Sequence, residues 1–113
     1  MSNIITPLIP QALISFLHSY QTFLIAGHKE PDGDCIGSSL ALSFFLQRLG
    51  KKTVLLSAGP FKRPEIQEYE PLFSAQVPDY VRNMTGTVGV VIVDCSGADR
   101  TGSLEEQIAP FPT

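Results

Sequence analysis

The feature that most constrains this sequence is an alternation of strand-like and helix-like segments. The clearest strand covers residues 88–97, because five of the six residues at 88–93 are β-branched. Shorter apolar runs bounded by turn residues predict two further buried strands, at residues 22–27 and 52–58. Helix-like or proline-broken segments separate these runs. A chain ordered in this way is expected to form a mostly parallel sheet with right-handed crossovers.

The helix-like segments supply the layers that cover such a sheet. Apolar residues recur three and four positions apart across residues 36–49, and Gly50 follows where a helix C-terminus is expected. Ser103 and Glu106 have the spacing of a capping box at the start of a later helix. The remaining predicted helices cover residues 9–20, 64–69, 78–84 and 101–108. The predicted fold class is therefore α/β, with three layers and a mostly parallel sheet flanked by helices.

Composition restricts the class of protein and its partners. With 113 residues, 43% of them hydrophobic and 17% charged, the chain is long enough for one globular domain. A net charge of −3 argues against a broad basic surface for long duplex nucleic acid. The apolar runs are too short for a transmembrane helix, and two cysteines without a signal peptide are typical of a reducing compartment. We therefore expect a cytoplasmic protein with no membrane partner.

Candidate metal ligands follow two of the predicted strands. The stretch GHKEPDGDC places His28, Asp32 and Asp34 just after the first strand, and Asp94 closes the third. Ligands bind to sheets of this kind outside the carboxyl ends of the strands, so these four side chains are expected to converge at one edge. The plainer alternative is two unrelated polar turns, since Pro, Asp and Gly are turn residues in any protein.

An imidazole and three carboxylates form a donor set that suits Mn²⁺ or Mg²⁺, with Zn²⁺ as an alternative. Without a cation, crowded carboxylates repel one another and resist ionisation. Two divalent ions about 3.5–4 Å apart are the usual apparatus of phosphoryl hydrolysis, and a carboxylate from a neighbouring strand, such as Asp94, is suited to bridge them. The sequence therefore predicts a two-metal site for phosphoryl hydrolysis.

Two segments resemble the motifs of the DHH phosphoesterase family. The first, GHKEPDGDCIGSSLAL, has the family's His, Pro-Asp-x-Asp and Gly-Ser pattern. The second, VVIVDCSGADRTG, resembles the family's strand that ends in Asp, with Arg-x-Gly shortly after it. In detail the first segment is most similar to the nanoRNase/pAp-phosphatase branch. Manganese pyrophosphatases are similar but usually have Thr where this chain has Gly33.

The resemblance implies a role for each candidate ligand. His28 and Asp32 would hold one metal ion, Asp34 would hold the second, and Asp94 would bridge the pair. The implied metal is Mn²⁺, with two ions in a complete site. Asp34 and Asp94 are accordingly the residues expected to carry catalysis.

Four further residues have open alternatives at the level of sequence. Arg100 and Ser38 are candidate phosphate contacts, although an ion pair that orders the loop and a plain first-turn position explain them as well. Cys35 and Cys95 each follow a proposed ligand. They would form a redox-sensitive pair or recruit Zn²⁺, or they are small residues packed behind the strand ends.

The implied activity is attack of a metal-bound hydroxide on short single-stranded oligoribonucleotides or on pAp, a small phosphorylated nucleotide. Alternative substrates within the same family are a cyclic dinucleotide, pyrophosphate or polyphosphate. The alternative from a different class is a non-catalytic α/β module that binds a nucleotide or a partner protein. A homodimer is an open alternative to a monomer.

The chain departs from the family pattern in what it lacks. Its only histidines are His18 and His28, so the Asp-His-His triplet that gives the family its name is not in this sequence. The family's C-terminal substrate-binding domain is not in it either. We expect residues 1–113 to be the N-terminal portion of a DHH-type domain in a longer enzyme, incomplete and inactive alone.

Overall fold

A three-stranded parallel sheet organises the fold. Its strands are β1 (Thr22–Ala26), β2 (Lys52–Leu56) and β3 (Val88–Ile92), in the order β2-β1-β3. Thr22 pairs with Lys52 on one side and with Val88 on the other, so all three strands end at the same edge of the sheet. The computed structural model describes residues 11–84, 86–94 and 98–113.

Helices cover both faces of the sheet. The α-helices are α1 (Gln11–Ser19), α2 (Gly33–Arg48), α3 (Asp79–Arg82) and α4 (Leu104–Ile108), and two 3₁₀ helices cover Pro64–Leu72 and Ala98–Thr101. Among the described residues, no helix combines the length and the hydropathy needed to cross a bilayer.

Alternate residues of β1 enter two different apolar clusters, as the pleat of a strand requires. Leu24 packs in one cluster with Val81 of α3 and with residues of α4. Phe23 packs in the other with Leu46 of α2 and with apolar residues of α1. Each side chain of β1 is fully buried, and full burial of a large apolar side chain contributes about 1.5–3 kcal/mol. The predicted three-layer α/β fold with a parallel sheet is confirmed.

Several element boundaries differ from those that the sequence predicts. The segment at 64–72 is a 3₁₀ helix, and β3 ends at Ile92, two residues before Asp94. The predicted capping box at Ser103 is wrong, since the backbone of Ser103 is already helical and its side chain makes no cap hydrogen bond. Gly102, at a φ of 70°, makes the turn instead, and its carbonyl accepts a hydrogen bond from the amide of Glu105 at 3.1 Å. The predicted helix residues 9–10 and strand residues 95–97 lie outside the described part of the chain.

Asp32 determines where α2 begins. The helix starts at Gly33, three residues earlier than periodicity predicts, because the Asp32 side chain acts as its N-cap. The backbone N–H of Cys35 donates to Asp32 Oδ1 at 2.9 Å. This hydrogen bond lowers the pKa of Asp32, and the charges of His28 and Arg63 lower it further, while desolvation acts in the opposite direction. Asp32 is therefore held as a carboxylate at the start of the helix.

Removing the cap is expected to destabilise the fold. Asp32→Ala deletes the oxygen that accepts from Cys35 N–H and should lower the free energy of unfolding by about 1 kcal/mol. Asp32→Asn keeps a hydrogen-bond acceptor and a good N-cap residue, so it should lower the free energy of unfolding clearly less than Asp32→Ala does. Urea unfolding followed by circular dichroism in the presence of a chelator measures both variants. Equal losses would show that the cap does not contribute.

The same carboxylate predicts a pH dependence of stability. Because the folded-state pKa of Asp32 lies below the unfolded value, its contribution is present above the ordinary aspartate pKa of about 3.9. It is lost as the pH falls from there through the lowered pKa of the folded state. The difference in unfolding free energy between wild type and Asp32→Asn should therefore shrink on acidification below about pH 4. A difference in unfolding free energy that stays constant or grows below pH 4 would contradict the lowered pKa of Asp32 in the folded state.

Candidate metal centre

The strand order produces a topological switch point at the carboxyl ends of β1 and β3. The connection from β1 leads to β2 on one side, and the connection from β2 passes to β3 on the other side. In open α/β sheets, ligands bind at such a switch point. His28 lies two residues after the end of β1, and Asp94 lies two residues after the end of β3.

The imidazole of His28 faces two carboxylates. Its Nε2 lies 3.5 Å from Asp94 Oδ2 and 3.8 Å from Asp32 Oδ1, and its Nδ1 lies 2.8 Å from the carbonyl oxygen of Lys29. A carbonyl can only accept, so Nδ1 donates, and Nε2 is the ring nitrogen that faces the carboxylates. Metal-bound histidines are held in this way, with the second nitrogen donating to a carbonyl or carboxylate.

The backbone of both loops is unusual at the site. Asp94 has a φ of 54° and Glu30 a φ of 52°, in the left-handed region that residues other than glycine rarely adopt. Such a conformation costs on the order of 1 kcal/mol for an L-residue, and residues of this kind cluster at ligand-binding sites. The left-handed turn at Asp94 lies two residues beyond the end of β3.

Hydrogen bonds join the three loops at this edge of the sheet. The amide of Lys29 donates to the carbonyl of Arg100 at 2.9 Å, which ties the β1 loop to the segment after β3. The amide of Glu30 donates to the carbonyl of Gly59 at 3.0 Å, which ties it to the loop after β2. His28 is therefore positioned by a backbone network and not only by its own side-chain contacts.

Cys35 joins His28 and Asp94 in what we term the three-donor cluster. The potential donor atoms of these three residues all lie within 4.8 Å of one another. The Cys35 side chain is buried, at 3% exposure, and a Cβ at position 27 would collide with its sulfur. Gly27 thus leaves the space that the sulfur occupies beside the end of β1. The three-donor cluster brings together residues from three separate parts of the chain.

Asp34 is not part of the three-donor cluster. It is exposed in the first turn of α2, next to the buried Cys35. Consecutive helical residues point about 100° apart, which agrees with a buried Cys35 beside an exposed Asp34. The sequence predicts a loop here, whereas the cap at Asp32 makes Asp34 a helical residue. Its carboxylate is available on the solvent side of the site.

The other predicted contacts lie around the site. Ser38 and Arg100 are both exposed, Ser38 on α2 and Arg100 in the 3₁₀ helix Ala98–Thr101. Cys95 lies outside the described residues. Sequence reasoning did not select Arg63, whose charge acts on Asp32 from the loop after β2. Arg63 follows the second predicted strand, and this position at the same edge of the sheet was the signal that could have identified it as a candidate.

The residues present fit a divalent cation. His28 Nε2 and the carboxylates of Asp32 and Asp94 supply one nitrogen and several oxygen donors, which suits Mn²⁺ or Mg²⁺. Both carboxylates face the same ring nitrogen, and a cation between the three groups would offset the repulsion between the two negative charges.

The proteins that resemble this chain include a pyrophosphatase and an exopolyphosphatase-related protein. A probable manganese-dependent inorganic pyrophosphatase of Clostridium acetobutylicum is 36% identical over 70 residues, which cover 62% of this chain and 22% of that protein. The crystal structure of an exopolyphosphatase-related protein from Bacteroides fragilis shares the fold, with a TM-score of 0.67 at 21% identity. That match covers 90% of this chain and 31% of the other, so the chain spans between a fifth and a third of these relatives.

The family assignment follows from a match along most of the chain. The model of the DHH family, N-terminal domain, matches residues 22–109, from the start of β1 to one residue beyond α4. This range includes all four candidate ligands and both sequence segments that resemble the family motifs. The chain belongs to the DHH family and carries its N-terminal domain.

Proposed function

We propose that this chain supplies metal ligands of a Mn²⁺-dependent hydrolase that cleaves phosphoester or phosphoanhydride bonds in small phosphorylated substrates. The observation that carries the proposal is the meeting of His28 Nε2 with the carboxylates of Asp94, at 3.5 Å, and Asp32, at 3.8 Å. The manganese dependence of the Clostridium relative supports the choice of metal.

Each candidate ligand of this chain has a separate role in such a site. His28 presents one nitrogen, fixed by the Nδ1 hydrogen bond to Lys29, and Asp32 presents a carboxylate already ionised by its cap hydrogen bond. Asp94, aimed from the end of β3, is the carboxylate suited to bridge two ions, with Asp34 on the solvent side as a ligand of the second. When bound, divalent ions neutralise phosphate charge and lower the pKa of water.

Substrate phosphate has three candidate partners beside the ligands. The N-terminal end of α2 carries backbone N–H groups and the positive end of the helix dipole, both of which favour an anion. Arg100 is exposed in the segment that follows β3 and offers a bidentate phosphate contact, and Ser38 is exposed on α2. We place the remaining metal ligands and the substrate-binding domain beyond residue 113, in a longer protein of cytoplasmic location.

Two substrate classes compete within this proposal. The 36% identity to a pyrophosphatase favours pyrophosphate or another phosphoanhydride. The Pro-Asp-Gly-Asp sequence around Gly33, followed by Gly-Ser-Ser, favours short oligoribonucleotides or pAp. Of the two, pyrophosphate has the support of a measured identity, and we take it as the first substrate to test.

A substrate panel distinguishes these classes. The complete protein, loaded with Mn²⁺, is expected to release phosphate from pyrophosphate faster than from pAp or from a dinucleotide. Comparing kcat/KM across pyrophosphate, tripolyphosphate, pAp, a short oligoribonucleotide and a cyclic dinucleotide measures the preference. Preference for the oligoribonucleotide or pAp would assign the nanoRNase-like function instead, and no turnover of any member would overturn the hydrolase proposal.

Asp94→Asn in the complete protein should abolish Mn²⁺-dependent hydrolysis. The substitution keeps the shape of the side chain but removes the charge that faces His28 and would bridge two ions. A loss of at least about a thousandfold in kcat is expected, because several kcal/mol of transition-state charge stabilisation depend on the metal. Asp79→Asn, the same chemical change at an exposed position on α3, serves as the matched control and should retain activity.

Circular dichroism and thermal unfolding of both variants check that the fold is kept. Wild-type turnover by a folded Asp94→Asn protein would show that Asp94 is not a bridging ligand.

A further inference from the structure

A sulfur donor stands in a site whose other donors suit Mn²⁺. Mn²⁺ prefers oxygen and nitrogen ligands, whereas a thiolate selects softer cations such as Zn²⁺. Cys35 Sγ nevertheless lies within 4.8 Å of a ring nitrogen of His28 and a carboxylate oxygen of Asp94. We propose that Cys35, His28 and Asp94 form a binding site for a thiophilic divalent cation, Zn²⁺ or Cd²⁺, which competes with Mn²⁺ for the two shared donors.

The start of α2 and the absence of a side chain at Gly27 determine the position of the Cys35 sulfur. Cys35 is the third residue of α2, and its amide is held by the cap at Asp32. A helical side chain is tilted toward the N-terminus of its helix, here toward the end of β1. At that point Gly27 has no side chain, and any Cβ there would collide with the sulfur. Burial at 3% exposure then restricts the sulfur to the neighbourhood of the other two donors.

The spacing of the donors suits a tetrahedral ion. Bond lengths of 2.0–2.3 Å to nitrogen, oxygen and sulfur place neighbouring ligand atoms about 3.3–3.6 Å apart. His28 Nε2 and Asp94 Oδ2 are already 3.5 Å apart. The sulfur, within 4.8 Å of its partners, needs to move by at most about 1.5 Å to complete three ligands of a tetrahedral site. The exposed side of Asp94 leaves the fourth position to water.

The charges also balance. A thiolate and a carboxylate with a neutral imidazole carry a charge of −2, which a divalent cation neutralises. Binding converts the Cys35 thiol to a thiolate, and its proton passes to the buffer. One consequence rests on the proposed function. Zn²⁺ would inhibit the hydrolysis, because it would occupy His28 and Asp94.

Cadmium absorbance tests the proposal directly. The chain is prepared metal-free with Cys95→Ser, which leaves Cys35 as its only thiol. Titration with Cd²⁺ is expected to produce an ultraviolet sulfur-to-cadmium charge-transfer band that saturates at one ion per chain. Adding Cys35→Ser should abolish the band, and Cys35→Ala provides a second variant should the serine disturb packing. Circular dichroism confirms that each variant is folded.

Two single substitutions test whether the other donors take part. His28→Ala and Asp94→Asn keep the thiol but should weaken Cd²⁺ binding by about tenfold or more each. Unchanged affinity in both would mean that the thiol binds Cd²⁺ alone, and the proposal would be overturned. A band that survives Cys35→Ser while Cys95 is intact, and disappears with Cys95→Ser, would assign the sulfur to Cys95 and overturn it as well.

Mn²⁺ binding, followed by the loss of the paramagnetic resonance signal of the hydrated ion, separates this inference from the proposed function. Cys35→Ser should bind Mn²⁺ like wild type and give no Cd²⁺ band. A complete wild-type protein that gives the Cys35-dependent Cd²⁺ band but takes up no Mn²⁺ supports the inference and contradicts the proposed function. Mn²⁺ uptake without a Cd²⁺ band would support the proposed function and overturn the inference.

Discussion

The hydrogen bond from the Cys35 amide to the Asp32 carboxylate is the interaction on which the site depends. It starts α2 at Gly33 and so determines which side of the helix each following residue occupies. With this start, Cys35 is buried against Gly27 and Asp34 is exposed. A helix that began elsewhere would rotate these two side chains by about 100° for each residue of shift. One cap therefore sets the arrangement of donors as well as the stability of the helix.

The sheet supplies the second constraint. Because β1 lies between β2 and β3 in a parallel register, the loops that follow all three strands emerge at one edge. Backbone hydrogen bonds from Lys29 and Glu30 then fasten the β1 loop to its two neighbours. His28 and Asp94, far apart in sequence, meet at 3.5 Å through this arrangement. This edge is the one at which open α/β sheets bind their ligands.

Sequence alone predicted the fold class, the three strands and the convergence of His28 with Asp94, because apolar runs and strand-end positions depend on local pattern and sheet topology. It misplaced the start of α2, since side-chain capping by Asp32 overrides apolar periodicity. Cys35 could not be placed for the same reason: its direction depends on the helix start and on the gap at Gly27. The capping box at Ser103 failed because Gly102 turns the chain first.

Anomalous diffraction from crystals grown with Mn²⁺ tests the central claim most directly. The account predicts an anomalous peak within bonding distance of His28 Nε2 and of a carboxylate oxygen of Asp94, with Asp32 in the same coordination shell or one water away. Such a peak would establish that the switch point at the carboxyl ends of β1 and β3 is a metal centre. Fully occupied manganese elsewhere, with His28 and Asp94 contacting only each other or solvent, would contradict it.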